Sequence, residues 1–147
     1  MFREEQINLW DTPKGSWKCI TTNGTIRRDG ALVMGKGNAL EARERFPDVD
    51  LMLGRLTSLW NVHVFPIPEF GLIGFPTKHN WYENADLGLI RTSCRELAEL
   101  FDLDTLRGVV YLPRPGVGNG GLSWEIVRPV VAKELEHLGD RIIIVYL

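Results

Sequence analysis

Two cysteines in 147 residues, Cys19 and Cys94, are too few to staple a fold of this length. Both sit among apolar neighbours and read as reduced core thiols of an intracellular protein, with a disulfide between them as the alternative. An excess of one charge is also missing, since 17 Lys and Arg stand against 19 Asp and Glu. That balance excludes a basic, duplex-coating protein, although local pairs such as Arg27-Arg28 and Arg43 with Arg45 remain. Histidine is scarce, and neither His63 nor His137 has a partner at metal-ligand spacing, so no metal and no organic cofactor is expected. No apolar run approaches the roughly 20 residues of a membrane span. The opening Met1-Phe2-Arg3-Glu4-Glu5-Gln6 is too charged for a secretory leader. A cytoplasmic protein with no membrane partner is therefore expected. Repeats, low-complexity tracts and Pro/Gly/Ser-rich linkers are absent too. With 44% apolar residues for one core, residues 1–147 read as a single domain.

What is present is an alternation of short strand-like runs and longer helical ones. Ile7–Trp10 and Trp17–Thr22 read as strands, the first at an edge. Asn38–Phe46 reads as a helix stopped by Pro47, and Asp50–Leu56 as a short helical turn. Val62–Ile67 and Leu72–Phe75 read as strands joined by a turn at Pro68-Glu69-Phe70-Gly71. Asp86–Phe101 has Leu87, Ile90, Cys94, Leu97 and Phe101 on one helical face, with Asn84 or Asp86 able to cap its start. Val109–Leu112 reads as a core strand. A helix with Ser123 as N-cap follows, with Pro129 as an irregularity inside it. Arg141–Leu147 closes the chain as a buried strand. The pattern predicts a three-layer α/β/α domain with a mixed central sheet.

Glycine carries the functional signal. Between the strand at Leu112 and the helix after Ser123 lies Pro113-Arg114-Pro115-Gly116-Val117-Gly118-Asn119-Gly120-Gly121-Leu122. Glycines there let backbone N–H groups converge on an anion, and the following helix adds free donors and a positive dipole end. Gly116 to Gly121 also matches the dinucleotide fingerprint. That reading wants an acidic residue at the end of the next strand, where this chain has Tyr146-Leu147. Gly30 to Gly37 nearly spells a phosphate-binding P-loop. Gly37, however, stands where a Ser or Thr would hold magnesium, and Ala31-Leu32-Val33-Met34 is bulky for a phosphate cradle. Two glycine-rich loops, each followed by a helix, suggest one ligand gripped from two sides.

Taken together, these segments resemble the macrodomain family. Val33-Met34-Gly35-Lys36-Gly37-Asn38-Ala39-Leu40 through Arg45-Phe46-Pro47 resembles its first ligand loop and helix. Pro76-Thr77-Lys78-His79-Asn80-Trp81 resembles its lysine-bearing segment. Leu112–Trp124 resembles its second phosphate loop, and Ile142–Leu147 its closing strand. The resemblance covers nearly the whole chain. It is nearest to the branch holding the terminal ADP-ribose protein glycohydrolase of eukaryotes and the macrodomain of the DarG antitoxin. It implies helices on both faces of a six- or seven-stranded mixed sheet, and ADP-ribose in a groove at the sheet's crest. Met34, Gly35, Gly37 and Asn38 would then run beside the distal ribose and pyrophosphate. Pro113, Gly116, Val117, Gly118, Asn119, Gly120, Gly121 and Leu122 would wrap the diphosphate. Asn8 would meet the adenine and Asn23 the distal ribose. Backbone amides satisfy a diphosphate without a cluster of Lys and Arg, which agrees with the slightly negative net charge.

In that branch the residue matching Lys78 is the catalytic candidate, acting at the anomeric carbon of the distal ribose. From the residues alone Lys78 is a lysine at a strand end. Beside Phe75 and Trp81 it can serve as nucleophile or stabilise the departing group, and the sequence leaves both roles open. The chain departs from its relatives in three places. Gly120 stands where the eukaryotic enzyme carries an acid, Asn119 stands where DarG-type loops have Leu, and Gly24–Ala31 is longer than in either. Its Arg27-Arg28 pair can meet a nucleic-acid phosphate or form a solvated loop tip. His79 is either a proton carrier or a polar loop residue. Three activities follow as expectations: ADP-ribosyl hydrolase, non-enzymatic ADP-ribose reader, and ADP-ribose-1''-phosphate phosphatase. The expected partner is ADP-ribose or an ADP-ribosylated protein or DNA, met by a monomer.

Overall fold

A computed structural model describes residues 2–147. Six strands form one sheet: β1 (Arg3–Gln6), β2 (Trp17–Thr22), β3 (Phe65–Ile67), β4 (Leu72–Pro76), β5 (Val110–Pro113) and β6 (Ile142–Tyr146). Their order is β1-β6-β5-β2-β4-β3. All neighbours are parallel except β3, which runs antiparallel to β4 with Phe65 opposite Gly74 and Ile67 opposite Leu72. Leu72 to Pro76 and Ile142 to Val145 are buried without alternation, as expected for strands covered on both faces. Pro66 is tolerated because β3 lies at the sheet edge, where a missing donor breaks no ladder.

Helices cover both faces. On one side α1 (Gly37–Arg45) and α2 (Val49–Trp60) bury Ala39, Ala42, Val49 and Leu53 against Ile20, Leu72, Tyr111 and Ile143. On the other, α3 (Leu87–Asp102) and α4 (Trp124–Leu135) bury Ile90, Cys94, Leu97, Val127 and Val131 against Cys19, Ile73, Leu112 and Ile144. Both cysteines are free thiols in this second layer, and burial pushes each thiol well above its ordinary range. Asp86 caps α3, its Oδ1 accepting from the Leu89 N–H at 3.0 Å. Pro129 lies inside α4, where it removes one helical donor.

Three element boundaries differ from the sequence expectation. Ile7–Trp10 is not a strand. The strand is β1, and at Asn8 the chain turns into a single 3-10 turn, Leu9–Asp11, because the Asn8 side chain accepts from the Trp10 N–H and caps it. The short turn at Asp50–Leu56 is a full 12-residue helix, α2, buried at Val49, Leu53, Gly54 and Thr57. Residues 62–64 stay outside β3 because Glu96 of α3 binds them instead. Its carboxylate takes the Val64 N–H at 2.9 Å and lies 2.7 Å from His63 Nδ1. Among the described residues, no helix is long and apolar enough to cross a membrane.

Candidate functional site

The neighbouring parallel strands β2 and β5 send their chains to opposite faces of the sheet: β2 leads to α1, β5 to α4. At such a switch point the chains diverge beyond the carboxyl ends of the strands and leave a crevice. A cleft of about 750 Å³ lies there, walled by the segments that follow β2, β4 and β5.

The first wall is Val33 to Ala39. α1 starts without a side-chain cap and without an acidic residue in its first turn, and its first backbone bond joins the Leu40 N–H to Lys36 O at 3.2 Å. The N–H groups of Gly37, Asn38 and Ala39 therefore have no partner within the helix and face the cleft with its positive dipole end. Gly37 adopts φ +59°, and a Cβ there would stand 3.1 Å from Asn119 Nδ2. The two loops approach one another at that point, which leaves little room for a side chain.

The second wall is the turn after β5. A 3-10 turn at Gly118–Gly120 is closed by Gly121 N–H to Gly118 O and Leu122 N–H to Gly116 O, both 3.0 Å. The Ala85 N–H bonds Gly120 O at 2.8 Å and ties the loop to the start of α3. Gly116 has φ +78°, and a Cβ there would meet Ile90 Cδ1 at 2.6 Å. Pro113, Gly116, Val117, Gly118, Asn119 and Gly120 line the cleft. Gly121 and Leu122 do not; Gly121 backs onto Asn84, and Leu122 packs on the core beneath.

Arg114 also lines the cleft and is fixed from behind. Its guanidinium lies over the Tyr146 ring at 3.9 Å and the Trp124 ring at 5.0 Å. Glu4 of β1 sits 3.7 Å from Arg114 Nη2 while also accepting from Trp124 Nε1 at 3.0 Å and Arg128 Nε at 2.9 Å. Among the described residues Arg114 Nε is buried with no hydrogen-bond partner.

Lys78 enters the cleft from the end of β4, between Thr77 and Trp81. The Thr77 N–H bonds Thr22 O at 3.0 Å, which holds the segment against β2. Among the described residues, the Lys78 ammonium has no ion-pair partner, and no Asp or Glu lines the cleft, whereas Arg27, Lys36, Lys78 and Arg114 do. The site is thus built for an anion. The adjacent His79 points away from this surplus: its Nε2 lies 3.1 Å from Asp86 Oδ2. The α3 backbone N–H groups, with His79, hold the Asp86 carboxyl below its ordinary range.

Of the asparagines named from the sequence, Asn23, Asn38 and Asn119 line the cleft, and the first two also brace its wall. Asn38 lines the cleft, but its Oδ1 accepts from the Thr21 N–H at 2.9 Å and Oγ1 at 3.2 Å, binding α1 to β2. Asn23 donates to Val33 O and accepts from the Thr25 N–H, both at 2.9 Å, bracing the loop that forms the wall. Asn8 lies outside the main cleft. With Tyr146 it lines a second cavity of about 210 Å³ that shares Gly37, Asn38 and Pro113 with the first. Its Oδ1 is spent on the Trp10 N–H, which leaves Nδ2. Sequence reasoning missed Thr21, Thr22, Val33, Lys36, Ala39, Thr77 and Arg114 as lining residues. The threonines carried a readable signal, since strand ends beside Asn23 and Lys78 must border the same crest.

No family model matches the chain. By sequence it is 28% identical over 123 residues to the "DNA ADP-ribosyl glycohydrolase" of Mycobacterium tuberculosis, a match covering 78% of this chain and 35% of that protein. It is 28% identical over 149 residues to the protein of the same description from Thermus aquaticus, covering 94% of this chain and 39% of that one. The chain therefore spans well under half the length of these relatives. By structure it is similar to the DarG macrodomain of M. tuberculosis, with TM-score 0.80 and 26% identity over 99% of this chain and 97% of that one. It is likewise similar to the DarG macrodomain of T. aquaticus, with TM-score 0.79 and 27% identity over 100% and 98% of the two chains. The three-layer fold described above is the macrodomain fold.

Proposed function

We propose that this DarG-like macrodomain binds ADP-ribose in its cleft and hydrolyses it from ADP-ribosylated DNA, with Lys78 acting at the anomeric carbon of the distal ribose. The observation that carries the reading is one cleft, free of carboxylates among the described residues, along which Lys78 and both glycine-rich loops lie together. The start of α1 and the Gly118–Gly120 turn offer backbone N–H groups from opposite sides, a fit for a diphosphate. With the diphosphate between the loops, the adenosine extends into the smaller cavity, where Asn8 Nδ2 can donate to a ring nitrogen. The distal ribose then extends towards Lys78.

Hydrolysis breaks the bond from the anomeric carbon to the DNA. The DNA atom leaves with the electron pair and needs a proton, and water supplies the new oxygen. Among the described residues no carboxylate lines the cleft to act as general acid or base, so the task falls to the Lys78 amine. As a neutral amine it bonds to the anomeric carbon while the glycosidic bond breaks, and water later displaces it. As an ammonium it offsets charge on the leaving group and hands over the proton while water attacks directly. Lys78→Arg separates these roles by keeping the cation and removing the nucleophile.

The test is release of ADP-ribose from an ADP-ribosylated oligonucleotide. Lys78→Ala should keep its ADP-ribose affinity in calorimetry and lose about 10²- to 10⁴-fold in turnover. Absence of release by the unaltered protein refutes the hydrolase. Gly120, standing where an acid would help, favours the second reading, an ADP-ribose reader. Turnover that vanishes in Lys78→Ala excludes it. The proposal includes a cytoplasmic site of action for a monomer, in keeping with two buried free thiols.

A further inference from the structure

We infer that the end of the cleft beyond Lys78 is a subsite for a single-stranded nucleotide, with the Trp81 indole as stacking surface for its base and Arg27 as partner for its phosphate. This rests on the reading of the cleft as an ADP-ribosyl-DNA site. The two cavities share Gly37, Asn38 and Pro113, which sets the direction of the ligand. Adenosine takes the end nearest Asn8 and Tyr146, so whatever is attached to the distal ribose leaves past Lys78. The lining also contains Trp81, three residues after Lys78, and Arg27, whose segment is bonded to the Lys78–Trp81 segment through Gly24 and Thr25.

Trp81 borders the cleft and is 49% exposed. It is held there by the segment after β2. The Trp81 N–H bonds Thr25 Oγ1 at 3.0 Å, Thr25 Oγ1 bonds Asn80 Oδ1 at 3.3 Å, and the Gly24 N–H bonds His79 O at 2.9 Å. Tyr82 packs against the indole at right angles, ring centroids 5.8 Å apart. Arg27 is carried on the same segment, closed by an antiparallel bridge between Ile26 and Leu32 and by Arg27 N–H to Ala31 O at 2.7 Å. Among the described residues its one ion pair is an exposed contact with Asp29 at 3.7 Å, which solvent screening makes weak. The diphosphate's two charges are met by backbone amides, Lys36 and Arg114, so Arg27 is surplus to ADP-ribose. A braced, half-exposed indole, and a loosely held guanidinium on the segment that braces it, together form the kind of lining that grips unpaired nucleotides, stacking the base and tracking the backbone. A base paired in a duplex has no free face to offer, so the substrate is single-stranded or extruded.

Both side chains are exposed, and Trp81→Ala, Trp81→Phe and Arg27→Gln should fold normally. Three quantities are compared in each: the Kd for ADP-ribose, kcat and KM on an ADP-ribosylated single-stranded oligonucleotide, and the same on the ADP-ribosylated nucleoside. Trp81→Ala should leave the ADP-ribose Kd unchanged and raise KM for the oligonucleotide about tenfold to a hundredfold, with Trp81→Phe restoring most of it. Arg27→Gln should raise KM for the oligonucleotide and leave the nucleoside unaffected. Equal losses on ADP-ribose and oligonucleotide would assign Trp81 to the ADP-ribose site and overturn the subsite, as would unchanged KM in both variants. If the unaltered protein releases nothing, the hydrolase reading fails. The subsite is then judged by equilibrium binding, where the ADP-ribosylated oligonucleotide must bind more tightly than ADP-ribose and lose that advantage in Trp81→Ala.

Discussion

Helix propensity and packing make opposite predictions for Gly54→Ala, and the structure decides between them. Gly54 sits inside α2, where replacing Gly by Ala ordinarily gains about 1 kcal/mol. Here a Cβ would stand 1.9 Å from Gly30 O, 2.8 Å from Leu32 N and 2.9 Å from the Ala31 carbonyl carbon. These are backbone atoms and cannot rotate aside, so either α2 or the Gly30–Leu32 segment must move. Overpacking of this kind costs about 1–3 kcal/mol. The shift also breaks the Leu32 N–H to Asp50 O bond of 2.9 Å, a further ~0.5–1.5 kcal/mol. Set against the propensity gain, the net is a destabilisation of about 1–3 kcal/mol, or a fall in Tm on the order of 3–10 °C. The displaced segment leads directly into Val33 and Met34 of the cleft wall. ADP-ribose affinity should therefore fall as well, by about tenfold for each ~1.4 kcal/mol of strain relieved on losing the ligand. Thermal unfolding followed by circular dichroism, with calorimetry for the ligand, measures both. A Tm at or above that of the unaltered protein, with ADP-ribose affinity intact, would refute the packing argument.

Gly116→Ala combines φ +78° with a Cβ 2.6 Å from Ile90 Cδ1; strain of about 1–2 kcal/mol for the left-handed backbone alone should distort the turn and weaken ADP-ribose binding at least tenfold in calorimetry. The Asp86 carboxyl is held below its ordinary 3.8, so its stabilising effect is complete above that value and is lost as pH falls through the lower folded value. Asp86→Asn keeps a capping oxygen but loses the charge, and should flatten the acid limb of the stability profile; Asp86→Ala should also lose the cap, about 1 kcal/mol at neutral pH in urea unfolding. Cys19 and Cys94 are buried thiols whose ionisation burial suppresses; a thiol reagent should label neither in the folded protein and both in denaturant.

The amphipathic elements were the legible part of the fold. α3 announces itself because Ile90, Cys94, Leu97 and Phe101 are both apolar and buried, and Trp17–Thr22 is read to its ends because its flanking Gly15-Ser16 and Asn23-Gly24 stop it. α2 was read short because a core helix can bury Gly54 and Thr57 where apolar periodicity looks for larger side chains. What buries Gly54 is the Gly30–Leu32 backbone lying across the helix, a contact between segments more than twenty residues apart that no local window contains. The same limit explains the edge strand. β1 is defined by its partner β6, Arg3 opposite Ile143 and Gln6 opposite Tyr146, and the sequence near Asn8 carries an equal apolar signal that a side-chain cap diverts into a turn.

For the candidate site, the role of a crest-loop glycine can be read from sequence more directly than the role of an asparagine, for one physical reason. A glycine in a crest loop serves the backbone directly, so its position in sequence and its role coincide. An asparagine can serve a ligand or another loop, and only the fold shows which donors are nearest. Asn38 and Asn23 are drawn to Thr21, Thr25 and Val33. Their hydrogen bonds tie the first wall to the end of β2, and Gly37 of that wall comes to near contact with Asn119 of the second. Substituting either asparagine should consequently disturb affinity through wall position. Lys78 stands apart from this bracing: among the described residues it contributes no side-chain bond to the scaffold, although its backbone is pinned to β2 through Thr77. An amine carried on a pinned backbone and bonded to nothing is available for whatever occupies the cleft, and removing it should change chemistry while leaving the fold and the phosphate loops as they are.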